Sequence, residues 1–157
     1  PDFRAYEKAF QLLSEIYYYY DNIKIIIQTS EIENTFFKFL RNFSYENFYN
    51  FFIKERREFF YPPFSRILKI ELIHKNKNVL INAAEKLHKL LQNKNFLSFS
   101  FSSELINRYH QYFYIDFILK LKKDSNLSDN KKVIKECLNT IIKEYCSIEA
   151  KIDVDPL

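Results

Sequence analysis

Three kinds of side chain in this sequence could do chemistry, and their spacing points to contact with a polyanion. Arg56 and Arg57 sit together in a charged run, Arg66 and Arg108 stand at the starts of two alternating stretches, and Lys120, Lys122 and Lys123 close a third. A guanidinium can make forked hydrogen bonds to a phosphate that an ammonium cannot. The competing reading of Arg56 and Arg57 is local pairing with Glu55, Glu58 or the last carbonyls of their own helix. Arg66 and Arg108 share that ambiguity, and the three lysines equally suit a solvated strand edge that resists aggregation. Tyr109, Tyr112 and Tyr114 offer rings on which single-stranded bases could stack. Phe99, Phe101, Phe113 and Phe117 fall instead on the inward register and are expected in the core.

Nothing in the chain assembles a catalytic centre or a metal site. His74, His88 and His110 are too scattered to share a metal, and His110 has no neighbouring Ser or Cys nucleophile. Asp153 and Asp155 alternate outward on the last apolar stretch and are expected to accept hydrogen bonds from backbone or from an arginine. Cys137 and Cys146 lack the close spacing of a zinc knuckle or redox pair and are expected to pack as small apolar residues. At ordinary usage about eleven glycines would be expected in a chain of this length; there is none, so no glycine-rich phosphate loop can exist here.

The elements that must position these residues follow from composition and period. A hydrophobic share of 47%, with 18% aromatic, allows a proper core. The formal charge of +4 permits binding to a phosphate backbone without demanding it. The absence of Gly, Met and Trp beside abundant Asn, Lys, Ile, Phe and Tyr fits an AT-rich coding bias. A start at Pro1 without Met suggests a fragment of a longer product. No apolar run approaches a bilayer span and no secretory pattern opens the chain, so a cytoplasmic location is expected.

Tyr6, Phe10, Leu13, Tyr17 and Tyr20 recur at helical steps, predicting a helix from about Ala5 to Tyr20. After a turn at Asp21 and Asn22, Ile23 to Thr29 reads as a buried β-branched strand. Two helices follow, one with Ile32, Phe36 and Leu40 on a face and one with Tyr45, Phe48 and Phe52; Ser44 and Asn47 make only a partial capping box. Tyr61-Pro62-Pro63-Phe64 ends the helical pattern, because two prolines remove two donors and push their predecessors out of the α region. Beyond it the pattern is βαββαβ: strands around Leu68 to Leu72, Leu97 to Phe101, Phe113 to Leu121 and Ile148 to Val154, with helices from Val79 to Leu91 and Val133 to Tyr145. Two helices on one face of a four-stranded antiparallel sheet is an α+β, ferredoxin-like solution.

These residues resemble one family, primosomal protein N′, the bacterial replication-restart DNA helicase. The resemblance rests on Pro1-Asp2-Phe3-Arg4-Ala5, Phe10-Gln11-Leu12-Leu13, Ile26-Ile27-Gln28-Thr29, Glu55-Arg56-Arg57-Glu58, Tyr61-Pro62-Pro63-Phe64-Ser65-Arg66, Ile106-Asn107-Arg108 and Ile152-Asp153-Val154-Asp155-Pro156. It implies that residues 1–30 are the end of a second helicase lobe, 31–60 a helical connector, and 61–157 a C-terminal domain like a small ribosomal-subunit protein. It implies a parent that is ATP-driven, moves 3′ to 5′ on DNA and loads the replicative helicase at abandoned forks. DNA, as a fork or a single strand, the single-strand-binding protein and other primosome proteins are the implied partners. ATP, magnesium and zinc are implied for the parent alone, since the Walker lysine, the Asp-Glu pair and the cysteine-rich module are not in this chain.

One departure bears on chemistry. In the family, Phe-Gln-Leu-Leu is followed by a sixth helicase motif whose arginines reach the γ-phosphate. Aligned on Phe10 to Leu13, its glutamine falls on Glu15, its glycines on Tyr18 and Asp21, and its arginines on Tyr19 and Asn22. An arginine finger can be worth about 10³ to 10⁵ in rate, and tyrosine cannot replace a permanent delocalised cation. The expectation is therefore a C-terminal portion that contributes DNA and partner contacts without a complete active site. The alternatives are a catalytically dead remnant kept as a structural or interaction module, and an independent βαββαβ nucleic-acid binder.

Overall fold

The computed structural model describes residues 4–20, 23–92, 94, 96–101 and 106–156. They form two compact units, divided between Phe59 and Phe60.

The first unit is helical: α1 (Ala5–Tyr19), α2 (Thr35–Asn42) and α3 (Tyr45–Glu58). Its core is aromatic, with Phe10, Phe36, Leu40, Phe48 and Phe52 buried together. Phe10 stacks on Phe48 at 4.2 Å between ring centroids, and Phe48 meets Phe52 at 4.6 Å. Flat rings at offset distances fill volume with little rotamer entropy to lose, so five large side chains can seal three short helices. Asn34 starts α2 by accepting the Phe36 N–H at 3.0 Å, and its amide donates to the Tyr6 hydroxyl at 2.8 Å. Ser44 precedes α3 without a side-chain cap bond, as its incomplete box implies.

Two expectations fail here. Residues 23–29 form no strand, and Ile26 is 81% exposed. A strand needs a neighbour to satisfy its backbone, and no described residue pairs with this run, so β propensity alone leaves it outside regular structure. Ile32 lies before α2 and is exposed, because the helix begins only after the Asn34 cap. The turn expected at Asp21 and Asn22 lies outside the described residues.

The second unit runs β1 (Ser65–His74), α4 (Lys77–Gln92), β2 (Ser98–Phe101), β3 (Asn107–Tyr109), β4 (Tyr112–Lys122), α5 (Leu127–Glu144) and β5 (Glu149–Val154). The sheet order is β2-β4-β1-β5, every pairing is antiparallel, and β3 adds to β4 as a short hairpin arm. The fold is thus α+β with the expected split βαββαβ arrangement. The additional β3 is three residues long, too short for a period of two to register in sequence.

Leu68, Ile70 and Leu72 of β1 and Ile115, Phe117, Leu119 and Leu121 of β4 meet Leu80, Ala83, Ala84, Leu87 and Leu91 of α4 in one core. The paired alanines let the helix approach the sheet closely. Ile134, Leu138 and Ile141 of α5 complete it, with Cys137, whose thiol burial pushes up from its ordinary value. Cys146, expected to pack, is exposed beyond the end of α5. Ile152 and Val154, expected to face inward, lie on the helix side of the sheet yet remain half exposed, because β5 is the outer strand.

The ends of β1 and β5 are clasped by Asp155. Its backbone N–H donates to the Ile67 carbonyl at 2.7 Å, its Oδ1 accepts the Ile67 N–H at 2.9 Å, and its Oδ2 pairs with the Arg66 guanidinium. We predict that Asp155→Ala destabilises this unit by about 1–3 kcal/mol, the cost of stranding part-buried donors. Denaturant unfolding with exchange of the Ile67 amide measures this; an unchanged midpoint and unchanged protection would show the clasp to be idle.

Candidate nucleic-acid interface

Alternation splits the β4 side chains between two faces. Phe113, Ile115 and Phe117 pack toward the helices, so Tyr112 and Tyr114 project from the face the helices leave uncovered. Tyr109 lies directly opposite Tyr112 and Asn107 opposite Tyr114, which puts all three tyrosines on that face at one end of the sheet. Tyr109 is 67% exposed beside the turn residue His110. The Lys75 ammonium lies 5.4 Å from the Tyr112 ring centroid. Arg108 is on the opposite side of the hairpin, its guanidinium 5.4 Å from the Phe113 ring and its Nε donating to the His110 carbonyl at 3.1 Å. One cation and three rings thus share the open face of the hairpin, with a second cation on its other face.

The other cations lie elsewhere. Lys120 stands eight residues along β4 from Tyr112, about 27 Å at the rise of an extended strand, with its ammonium 3.6 Å from the Tyr61 ring centroid. Burial draws that ammonium below its ordinary value. Because β4 is flanked by β1 and β2, Lys120 is on an interior strand, and the edge-protection role weighed for it is overturned. Arg66, at the same end of the sheet, is engaged by Asp155. Between the two ends the uncovered face is of mixed charge: Lys69 pairs with Asp116 at 3.0 Å, and Glu71, Lys151 and Asp153 lie in neighbouring register.

In the helical unit, Arg56 pairs with Glu7 of α1 at 2.5 Å and its side chain is only 16% exposed. This partner is distant in sequence, on another helix of the unit. Arg57 is exposed at the end of α3. Tyr19 is 83% exposed at the end of α1, and Asn22 lies outside the described residues. Tyr19, Tyr18 and Glu15 border a cavity of about 850 Å³ between α1 and α3, floored by Phe10 and Phe48 and reached by Arg56.

The structure therefore brings Tyr109 and Tyr112 together on the open face, sets Arg108 on the other face of the same hairpin and Arg66 and Lys120 at the far end of the sheet, and leaves Arg56 and Arg57 in the other unit. Lys75 and Tyr61 were missed in sequence. Lys75 falls two residues beyond Ile73 and so continues the outward alternation of β1; Tyr61 has no periodic signal, its place being fixed by the turn through the prolines. The positive excess of the chain lies wholly in residues 60–156.

The fold is that of an α+β sandwich of split βαβ type, with an aromatic and basic hairpin at one end of its open face. No family model matches the chain. In sequence it is similar to the replication restart protein PriA. The protein of that name from Borreliella burgdorferi is 38% identical over 82 residues, covering 49% of this chain and 12% of that protein. The one from Bacillus subtilis is 26% identical over 164 residues, covering 99% of this chain and 20% of that protein. The chain thus spans a fifth or less of these relatives, and the resemblance read from its motifs is borne out at that level. Among solved structures, the de novo designed protein Foldit4 aligns over 57% of this chain at a TM-score of 0.47 and 8% identity.

A burial-driven role for Arg56 has a direct test. Arg56→Ala should destabilise the helical unit by about 1–3 kcal/mol, since Glu7 loses a half-buried counter-charge, while leaving nucleic-acid binding within about twofold. A large binding loss in a chain of unchanged stability would return Arg56 to the interface.

Proposed function

We propose that this chain is the C-terminal portion of a replication-restart helicase and that it contributes DNA and partner contacts rather than catalysis. The observation that carries the reading is the grouping of Tyr109, Tyr112 and Lys75 on the open face of one hairpin, with Arg108 on its other face, in a chain similar to PriA along its length. Stacking on rings suits single-stranded bases of any sequence, and flanking cations suit the phosphates between them. On this reading residues 1–30 close a second motor lobe, 31–60 connect, and 61–157 form the nucleic-acid-contacting domain. The parent would be a cytoplasmic, ATP-dependent enzyme moving 3′ to 5′, its ATP, magnesium and zinc held outside this chain. DNA, the single-strand-binding protein and other primosome proteins are its proposed partners.

Tyr19, exposed at a position aligned with a family arginine, supports loss of the finger motif, Asn22 being the other such position. The second reading, a catalytically dead remnant acting as an interaction module, is favoured by the apolar exposure of the helical unit at Tyr18, Tyr19, Tyr20 and Ile26.

The chain should bind a fluorescein-labelled oligothymidylate weakly, with anisotropy titrations showing affinity that falls as salt rises. Tyr109→Ala and Tyr112→Ala should each cost about 1–3 kcal/mol of that affinity. Absent binding at low salt, or binding indifferent to both substitutions, would refute the hairpin as the interface. ATP hydrolysis by the chain alone should be nil with or without the oligonucleotide, and a turnover that survives repurification would contradict the loss of the finger motif.

A further inference from the structure

The cavity of about 850 Å³ between α1 and α3 falls within the roughly 300–1,000 Å³ range of sites that hold small organic ligands. Its walls follow from helical spacing: Gln11, Ser14 and Tyr18 recur along one face of α1, and Tyr45 and Tyr49 along the facing side of α3. The floor is rigid, because Phe10 and Phe48 also belong to the buried core of the unit. At the rim the Tyr45 and Tyr49 rings stack at 6.2 Å between centroids, and Tyr18 stands exposed. Two polar features break the apolar lining. The Ser14 Oγ is buried with no hydrogen-bond partner among the described residues, an expensive state for a hydroxyl. Of the charges that line the cavity, Glu7 and Arg56 offset each other, and Glu15, which accepts from Gln11 at 3.1 Å, leaves the lining net negative.

We propose that this cavity binds a small aromatic cation, a planar ring system carrying amino or amidinium groups. The ring system rests against the phenylalanine floor, where offset or edge contacts between aromatic rings are favourable. Its N–H donors satisfy the Ser14 hydroxyl and the Glu15 carboxylate, and the tyrosine rings at the rim attract its charge through their quadrupoles. An aliphatic cation would leave the floor uncovered, and an aromatic anion would meet Glu15 without a free counter-charge in the lining. The inference stands apart from the replication-restart reading and from the hairpin of β3 and β4, which belongs to the other unit.

The test titrates the full chain, freed of nucleic acid, into proflavine, a planar diaminoacridine cation, and reads fluorescence anisotropy. Binding should saturate. Ser14→Ala should weaken it about tenfold and Glu15→Gln about threefold, each with unchanged circular dichroism. Amide shifts in nuclear magnetic resonance spectra should cluster at Gln11, Ser14 and Tyr49. The anionic probe anilinonaphthalene sulfonate and the aliphatic cation cadaverine should both bind about tenfold more weakly than proflavine. Absent saturation, or binding indifferent to both substitutions, would overturn the proposal. So would equal binding of the sulfonate, the mark of an apolar cleft with no preference of charge. Shifts spread over Tyr20 and Ile26 would reveal adsorption to exposed apolar side chains and would refute the site as well.

Discussion

Strand β1 must be paired on both sides at once, and most of the second unit is arranged to meet that need. It lies against β4 along its whole length and against β5 from Leu68 to Ile73. Its backbone groups have no other partners to turn to, and a single slip in register would exchange Leu68, Ile70 and Leu72 for Lys69 and Glu71 in the core. Three things fix the register. The helices demand an apolar face at alternate positions; Ser65 donates its hydroxyl to the Phe60 carbonyl at 2.6 Å, anchoring the start; and Asp155 binds the Ile67 amide and Arg66 from the far end of the chain. The motif at the C-terminus that drew notice as a family signature is thus also a structural clasp.

A chain without glycine must make its turns from other residues, and it does so at a cost. Phe43, Phe60, His110, Ser147 and Asp155 all adopt left-handed backbone angles. For residues with a Cβ this conformation is disfavoured by roughly 1–2 kcal/mol, so each must be held by neighbours. Phe43 is held by its ring, stacked on Tyr17 at 4.1 Å as α2 ends. Asp155 is held by its carboxylate. Packing and side-chain bonds therefore do at these positions what conformational freedom does in most proteins.

Periodic segments were legible in the sequence, and isolated ones were not. The α1, α4 and α5 faces and the β1 and β4 alternations were readable because each repeats an apolar choice many times, and the split βαββαβ order followed from them. The run from Ile23 to Thr29 misled because β propensity states what a residue suits, not whether a neighbouring strand exists to pair with it. Lys120 was misplaced because strand order, which makes β4 interior, is a long-range property that no local spacing carries. Arg56 met Glu7 across two helices for the same reason. Of the site, Tyr112 and Tyr114 were legible from the parity of β4, whereas the side taken by Tyr109 depended on the pairing of β3 with β4 and Lys75 over Tyr112 on the pairing of β1 with β4.

The distribution of charge on the open sheet face limits where a polyanion can lie. Across its middle the Lys69 and Asp116 pair, with Glu71 and Asp153 close in register, gives no net attraction for phosphates, and a backbone laid there would meet carboxylates. At the hairpin end Glu149, opposite Ile73, is the carboxylate in neighbouring register, while Lys75 lies over the Tyr112 ring and Arg108 over the Phe113 ring on the other face. On the proposed reading, a single strand would engage the domain at its end, not across its sheet. The β5 edge lies on the far side of β1 from β4, apart from the hairpin, so the two ends of the open face are separated by the mixed charge between them.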